Sequence, residues 1–254
     1  MLGAIVGDIV GSIYEFNNIK TKNFEIINQG CFFTDDTLLT VAVAQALMKS
    51  NLNDEDELKC QLTKEIVSLA REYPNAGYAL RFVDWLWSEE HTPYNSFGNG
   101  SAMRVSPVAW VSDDLDVVLR LAKNTAEVTH NHPESILLAR KNKSIREIKK
   151  YIGDNFYKLN FTLDEIRPAY DFDETCQGSV PEAIVAFLES NSFEDAIKNA
   201  ISIGGDSDTI AAMTGSIAEA YYGIPEELSG FAMSKLDDKL MKVVQSFISK
   251  YTNS

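Results

Sequence analysis

The feature that most constrains the fold is the spacing of the apolar residues, which recur at three- to four-residue intervals along most of the chain. This spacing predicts α-helices, and alternating runs of the kind that form strands are scarce. Two segments, LLTVAVAQAL (38–47) and IAAMTGSIAEA (210–220), contain almost no charge and many small residues. Helices that are apolar on all sides are buried. We therefore expect an all-α multi-helix bundle with these two helices at its centre.

Signals for helix starts support this fold class. Ser179 with Glu182, and Thr162 with Glu165, have the spacing of a capping box, and Pro133 and Pro225 suit the first turn of a helix. The predicted helices cover residues 2–16, 36–49, 54–72, 76–88, 101–111, 114–127, 133–140, 144–153, 163–168, 180–189, 193–202, 208–222 and 235–250.

The composition indicates one soluble domain spanning residues 1–254. The chain has 254 residues, of which 45% are hydrophobic, and no linker, repeat or low-complexity tract divides it. With 37 acidic against 23 basic residues, its formal net charge is −14. This charge disfavours binding to nucleic acid or to an anionic membrane surface. The sequence gives no indication of the oligomeric state.

The cysteines and the apolar segments indicate a cytoplasmic protein. Cys31, Cys60 and Cys176 are scattered and show neither disulfide-framework nor metal-binding spacing. The apolar N-terminus lacks a basic region and contains Asp8, so we expect it to belong to the fold rather than to a signal peptide. We also predict no transmembrane helix, because no apolar run reaches about 18 residues.

Paired acids stand immediately before both apolar helices. FFTDDT (32–37) precedes the first, and SIGGDSDT (202–209) precedes the second, where Gly204 and Gly205 permit a sharp turn. Either pair alone could serve as a helix cap. If the two helix ends meet, however, Asp35, Asp36, Asp206 and Asp208 converge, and their mutual repulsion requires bound cations or strongly raised pKa values. We favour bound metal.

The donor atoms narrow the choice of metal. Carboxylates and threonine hydroxyls are hard oxygen ligands, and neither segment contains His or Cys, so we expect Mg²⁺ or Mn²⁺ rather than zinc. So few protein groups leave coordination positions for water and substrate. The sequence therefore predicts a catalytic centre.

Other segments offer weaker candidates. SFGNGSAMR (96–104) could cradle an anion such as a pyrophosphate through its backbone N–H groups, or could be a plain turn. Phe97 could stack on a base or simply pack. In THNHPE (129–134) we favour His130 as a polar contact to substrate, and His132 as a loop contact.

The first predicted helix carries acids and a glycine stripe. Asp8 and Glu15 lie seven residues apart on one face, where either presents a carboxylate to the site or forms a surface salt bridge. Gly3, Gly7 and Gly11 recur every four residues, which predicts close packing against a neighbouring helix.

These segments together resemble a known family. GAIVGDIVGSIYEF, FTDDT, GNGSAMR, THNHPE, CQGSVPEAI and GGDSDTIAAMTGSIAEAYYG occur in the order and with the separations typical of the ADP-ribosylglycohydrolases. The resemblance runs nearly end to end. It implies an orthogonal all-α bundle with two Mg²⁺ or Mn²⁺ ions at the bottom of an ADP-ribose cleft.

The resemblance also implies roles for individual residues. The metal-ligand positions fall on Thr34, Asp35, Asp36, Asp206, Asp208 and Thr209. The phosphate-contacting loop falls on Gly98, Asn99, Gly100 and Ser101, the adenine side near Phe97, and the ligand-contacting histidine on His130. Glu15 matches an acid near the metals that gates access or binds metal in some members.

The expected activity is hydrolysis of the glycosidic bond between ADP-ribose and an acceptor, either a protein side chain or a small molecule. Asp35, Asp36 or Glu15 would accept the proton from the attacking water. A silent ADP-ribose-binding or structural protein is the alternative. It draws support from a helix that the family usually carries after the HPE segment and that is shortened here, where Ser135 leads directly into ILLARKNKS. A metal phosphohydrolase that cuts pyrophosphates is a third, less favoured hypothesis.

Overall fold

A computed structural model describes residues 1–130 and 145–252, and the regular secondary structure of these residues is entirely helical. The all-α prediction is confirmed; the one β-type pairing in the described part is an isolated antiparallel bridge between Gly98 and Thr175. The helices are α1 (Leu2–Gly11), α2 (Asp35–Lys49), α3 (Glu55–Glu72), α4 (Leu80–Trp87), α5 (Gly100–Met103), α6 (Leu115–Glu127), α7 (Ile145–Asn155), α8 (Leu163–Ile166), α9 (Cys176–Leu188), α10 (Phe193–Ser202), α11 (Ser207–Tyr222), α12 (Glu226–Lys235) and α13 (Asp238–Tyr251), with a 3-10 helix at Ser106–Trp110.

The two apolar helices lie at the centre, as their sequences predict. Residues 36–44 of α2 and 207–215 of α11 are all buried. Helices α3 and α13 pack on α2, and α9 and α10 pack on α11. The central pair is therefore enclosed by α9, most of whose residues are buried, and by the amphipathic helices α3, α10 and α13, which bury their apolar faces.

Helix α1 joins the two central helices by lying tightly along α11. A Cβ added at Gly7 would overlap the backbone carbonyl of Ala211, and one at Gly3 would overlap that of Gly215. Only glycine permits this approach, so the predicted role of the glycine stripe is confirmed. Helix α1 also contacts α2, and this shared neighbour holds the N-terminal ends of α2 and α11 together.

The capping predictions had mixed outcomes. The capping box of Thr162 and Glu165 is present at α8. The box of Ser179 and Glu182 is wrong, because Thr175 caps α9 instead by accepting a hydrogen bond from the Gly178 N–H. Ser179 therefore lies inside the helix, where its hydroxyl donates to the Thr175 carbonyl at 2.5 Å.

Several predicted boundaries also need correction. Helix α1 ends at Gly11 rather than residue 16, and α4 begins at Leu80 rather than 76, after Gly77 with φ of +103°. The helix predicted over 101–111 is divided into α5 and the 3-10 helix, whose first turn contains Pro107. Helix α12, which follows Pro225, was missed. The helix predicted over 133–140 lies outside the described residues.

In the part of the chain that the structure describes, no helix combines the length and the apolar character that crossing a bilayer requires.

Candidate active site

The N-terminal ends of α2 and α11 meet, which brings the two acidic segments together. The Thr209 hydroxyl donates a 3.0 Å hydrogen bond to Asp36 Oδ2 across 173 residues of sequence. Asp36 and Asp208 are only 2% and 3% exposed. Gly204 and Gly205 both adopt positive φ values, of +72° and +73°, and so form the predicted turn into α11.

The carboxylates fall into two groups that share one residue. Oxygens of Asp8, Asp36 and Asp208 lie within 4.8 Å of one another, and so do oxygens of Glu15, Asp206 and Asp208. Asp208 thus stands between two neighbouring clusters. Each cluster offers three carboxylates, the hard oxygen ligands that divalent cations such as Mg²⁺ prefer.

Asp8 belongs to the first group by distance, but its hydrogen bonds assign it a supporting position. Its carboxylate accepts from the backbone N–H groups of Thr34 and Thr37 at 3.0 and 3.1 Å, and from the hydroxyls of both threonines. Four donors occupy most of its lone pairs. Asp8 is completely buried and fastens the first turn of α2 to α1.

Burial is the largest cause of the pKa shifts in the carboxylate cluster. It raises the pKa values of Asp36 and Asp208 well above the usual range, and the surrounding carboxylates raise them further. The pKa of Asp206 is also raised by burial. Burial and the charges of Asp206 and Asp8 raise the pKa of Glu15 to about 7.

The donor set fits divalent metal. Asp36 Oδ1 and Asp208 Oδ1 are buried and have no hydrogen-bond partner among the described residues. Unpartnered buried carboxylate oxygens are costly, and a cation satisfies them. The Thr209 hydroxyl donates its proton to Asp36, so the lone pairs of the Thr209 oxygen remain free to bind a cation. Every available donor is oxygen, as Mg²⁺ and Mn²⁺ prefer.

Thr34 and Asp35 occupy less direct positions than the other predicted ligands. Thr34 is 4% exposed and caps α2 by accepting from the Asp36 N–H, while its hydroxyl donates to Asp8 at 2.7 Å. It does not line the cavity. Asp35 does line it and is partly buried, but it belongs to neither carboxylate group.

A cavity of about 500 Å³ opens over the carboxylates, within the size range of small-molecule sites. Of the residues predicted for the site, all but Thr34 and Ser101 line it; these are Glu15, Asp35, Asp36, Phe97, Gly98, Asn99, Gly100, His130, Asp206, Asp208 and Thr209. Ser101 is 1% exposed and does not line the cavity. The structure therefore brings most of the predicted residues to one place.

The glycine loop is fixed to the segment before α9. The Asn99 N–H donates to the Glu174 carbonyl at 2.8 Å, and the Cys176 N–H donates to the Phe97 carbonyl at 3.0 Å. The Asn99 side chain donates to Asp206 Oδ2 at 2.7 Å, so it links the loop to the carboxylates. Phe97 is 51% exposed at the cavity edge.

His130 is buried, with only 4% of its surface exposed. Its Nδ1 lies 2.6 Å from the Thr129 hydroxyl, and its other edge faces the glycine loop. Burial lowers the pKa of His130 to about 3, and the positive charge of Arg104 acts in the same direction. The ring is therefore neutral. His132 lies outside the described residues.

Sequence reasoning missed several residues of the cavity wall. Tyr78, Arg81, Tyr94, Arg104, Phe172 and Glu174 all line it. Arg104 is completely buried, and its Nε and Nη1 have no hydrogen-bond partner within the described ranges. Its place at the end of the SFGNGSAMR segment was the one available signal. Arg81 lies in the first turn of α4, and Tyr78, Tyr94, Phe172 and Glu174 lie in loops without a recognisable sequence pattern.

This fold and this arrangement of acids define the class. The family model described as ADP-ribosylglycohydrolase matches residues 1–252, and the chain belongs to this family. It is 24% identical to human ADP-ribosylhydrolase ARH3, over 89% of this chain and 85% of that protein. It is 26% identical to the ADP-ribosyl-[dinitrogen reductase] glycohydrolase of Rhodospirillum rubrum, over 96% and 91% of the two chains.

A further relative is the ADP-ribosylarginine hydrolase Tri1 of Pseudomonas putida, which is 26% identical over 94% of this chain and 75% of its own. A solved structure titled "ADP-ribosylglycohydrolase-related protein complex" has the same fold. Its TM-score is 0.62 at 20% identity, and the match covers 98% of this chain and 96% of the other.

Proposed function

We propose that this protein hydrolyses the glycosidic bond between ADP-ribose and an acceptor, with two Mg²⁺ or Mn²⁺ ions. The observation that carries the proposal is the pair of carboxylate groups sharing Asp208 at the base of a nucleotide-sized cavity. The names of the relatives agree, since each is an ADP-ribosyl hydrolase or glycohydrolase.

The proposed metal ligands are the residues named by the sequence, namely Thr34, Asp35, Asp36, Asp206, Asp208 and Thr209, together with Glu15. Asp36 and Asp208 are the strongest candidates because each has an unpartnered buried oxygen in the described part of the chain. Bound cations supply positive charge against the clustered acids and Lewis acidity at the ribose. Asp8 supports this set of ligands by accepting hydrogen bonds from the Thr34 hydroxyl and the Thr37 N–H, which fix the start of α2.

The remaining residues bind and orient the substrate. Gly98 and Asn99 lead into α5, which begins with Gly100 and Ser101. The hydrogen bond from Asn99 to Asp206 places this loop beside the carboxylates, which suits a diphosphate held one sugar away from the reacting carbon. Phe97 offers an exposed aromatic face for adenine. Glu15, Asp35 and Asp36 line the cavity and are the candidates to accept the proton of the attacking water.

We also propose that the protein acts in the cytoplasm. Cys31, Cys60 and Cys176 form no disulfide bond among the described residues, which agrees with a reducing compartment.

The proposal is tested by product analysis. The protein is incubated with ADP-ribosylated arginine, ADP-ribosylated serine and small ADP-ribosyl acceptors, in Mg²⁺, Mn²⁺ or chelator, and the products are identified by mass. We expect free ADP-ribose and unmodified acceptor with metal, and neither with chelator. A silent binding protein would show affinity for ADP-ribose without product, and a phosphohydrolase would release AMP.

A matched pair of variants assigns the activity to the carboxylates. Asp208→Asn keeps the shape of the side chain and removes its charge, and we expect turnover to fall by at least about 100-fold. Asp113→Asn makes the same change at an exposed acid that does not line the cavity, and it should leave turnover unchanged. Full turnover of Asp208→Asn at saturating Mg²⁺ would refute the proposed centre.

A further inference from the structure

Arg104 is the largest completely buried side chain and carries its charge without an acidic partner in the described part of the chain. Its Nη2 donates to the Thr125 carbonyl at 3.0 Å and to the Thr129 hydroxyl at 2.7 Å. A buried, unneutralised guanidinium is costly, and burial lowers its pKa to about 10. A feature with this cost calls for a role beyond packing.

Arg104 determines which group donates and which accepts in the hydrogen bonds that connect Arg104, Thr129 and His130. A guanidinium only donates, so the Thr129 oxygen must accept from it. The hydroxyl of Thr129 has one proton, and His130 Nδ1 lies 2.6 Å away. When that proton points to Nδ1, the imidazole carries its own proton on Nε2, because a neutral ring holds only one.

The Nε2 edge of His130 faces the glycine loop. A Cβ at Gly98 would lie 4.0 Å from Nε2, and a Cβ at Gly100 would lie 3.7 Å from it. Hydrogen bonding between the ring and the Gly98 backbone acts against the lowering of the pKa of His130, as a bond donated by the ring to a carbonyl does. The ring therefore packs against the glycine loop through its Nε2 edge.

The contacts from the glycine loop through Arg104, Thr129 and His130 form a closed circuit. The glycine loop continues into α5, Arg104 follows α5 directly, and its side chain reaches Thr129 beside His130, which returns to Gly98. Tyr94 lies next to this circuit, with its ring centroid 6.3 Å from that of His130, and Arg81 adds a second positive charge nearby. Among the described residues, no acid contributes to the shift in the pKa of His130.

We propose that Arg104 and Thr129 are positioning residues that fix His130 as the Nε2–H tautomer, and that His130 in this form sets the conformation of the Gly98–Gly100 loop. The tautomer part rests on the hydrogen bonds among Arg104, Thr129 and His130 and on the neutral charge of the buried ring. The consequence for substrate rests on the proposed function, because the loop is the candidate seat for the diphosphate. His130 then acts mainly through the loop rather than through direct contact with the substrate.

The experiment uses the full chain labelled with ¹⁵N-histidine. The protein contains three histidines, so His130 is assigned by comparison with His130→Gln. We expect an unprotonated Nδ1 and a protonated Nε2 from pH 5 to 8 in the wild type. Thr129→Ser keeps the hydroxyl and should keep this pattern, whereas Thr129→Val keeps the shape, removes the hydroxyl and should lose it.

Binding of ADP-ribose with Mg²⁺ provides the second readout. Thr129→Val should bind roughly tenfold more weakly, with Thr129→Ser close to the wild type, and the loss should appear in KM more than in kcat. An Nδ1–H tautomer in the wild type, or equal tautomer and affinity in the two variants, would overturn the relay. Failure of the wild type to bind ADP-ribose would reject the proposed function instead, and the tautomer comparison would still decide the relay.

Discussion

The Thr209 hydroxyl donates to Asp36 Oδ2 at 3.0 Å, and this bond joins the first turns of the two central helices. It orients a carboxylate whose other oxygen has no hydrogen-bond partner among the described residues. Because the Thr209 hydroxyl donates its proton to Asp36, the lone pairs of the Thr209 oxygen stay available to bind a cation. Asp36 and Thr209 therefore face the same cavity.

We predict that Thr209→Val weakens Mn²⁺ binding by roughly tenfold or more, because it removes both a ligand oxygen and the bond that orients Asp36. Thr209→Ser retains the hydroxyl and should bind Mn²⁺ almost as the wild type does. Calorimetric titration of chelator-treated protein measures both. Equal affinities in the two variants would show that the hydroxyl has no part in the metal centre.

The metal-free protein should lose stability as the pH rises. The folded-state pKa of Glu15 is raised to about 7, and those of Asp36 and Asp208 are raised well above normal. A raised folded pKa contributes stability that is complete below the unfolded pKa, about 4, and is lost as the pH passes the folded pKa. In chelator, the Tm should therefore fall by roughly 5 °C or more between pH 5 and 8.

Saturating Mg²⁺ is the control for this pH dependence. The cation binds the ionised carboxylates and should largely remove the fall in Tm, since it neutralises the repulsion that appears at high pH. A Tm in chelator that rises steadily from pH 5 to 8 would contradict the account of the cluster.

The glycine stripe of α1 permits a direct test of packing. A Cβ at Gly7 would overlap the Ala211 carbonyl, so Gly7→Ala should destabilise the fold by about 2 kcal/mol or more. Gly230→Ala is the matched control in α12, where a Cβ would meet nothing within 4 Å. It should be neutral or stabilising by up to about 1 kcal/mol. Chemical denaturation compares the two.

Much of the fold and the site was predictable because the signals were local. The helical periodicity identifies α2 and α11, and acids before an apolar helix stand out in sequence. Their convergence was only a condition of the sequence argument, and electrostatics predicted bound metal if that condition held. The convergence depends physically on α1, whose Gly3, Gly7 and Gly11 place it against α11. That contact was expected from the stripe, although its partner was not named.

The missed features depend on contacts that local patterns do not record. Helix α12 has no marked apolar face, and Gly230 and two serines lower its helix propensity. Ser179 and Glu182 have the spacing of a capping box, yet Thr175 is the residue that caps the N-terminus of α9. The link from Arg104 to Thr129 spans 25 residues and exists only after α5 and α6 pack.

Phe97 provides a test of the nucleotide side of the cavity. Removal of an exposed aromatic ring that stacks on a base costs about 1 to 3 kcal/mol. We therefore expect Phe97→Ala to weaken ADP-ribose binding by roughly tenfold or more. Phe156 is similarly exposed but does not line the cavity, so Phe156→Ala should bind as the wild type does. Unchanged affinity in Phe97→Ala would place adenine elsewhere.

The most direct test of the account is the number of metal ions bound per chain. Asp208 belongs to both carboxylate groups, whereas Asp206 belongs to one. Titration of chelator-treated protein with Mn²⁺ should give two ions per chain for the wild type. Asp208→Asn should weaken binding at both sites, and Asp206→Asn should weaken one site more than the other. Two ions bound by Asp208→Asn with wild-type affinity would contradict the account.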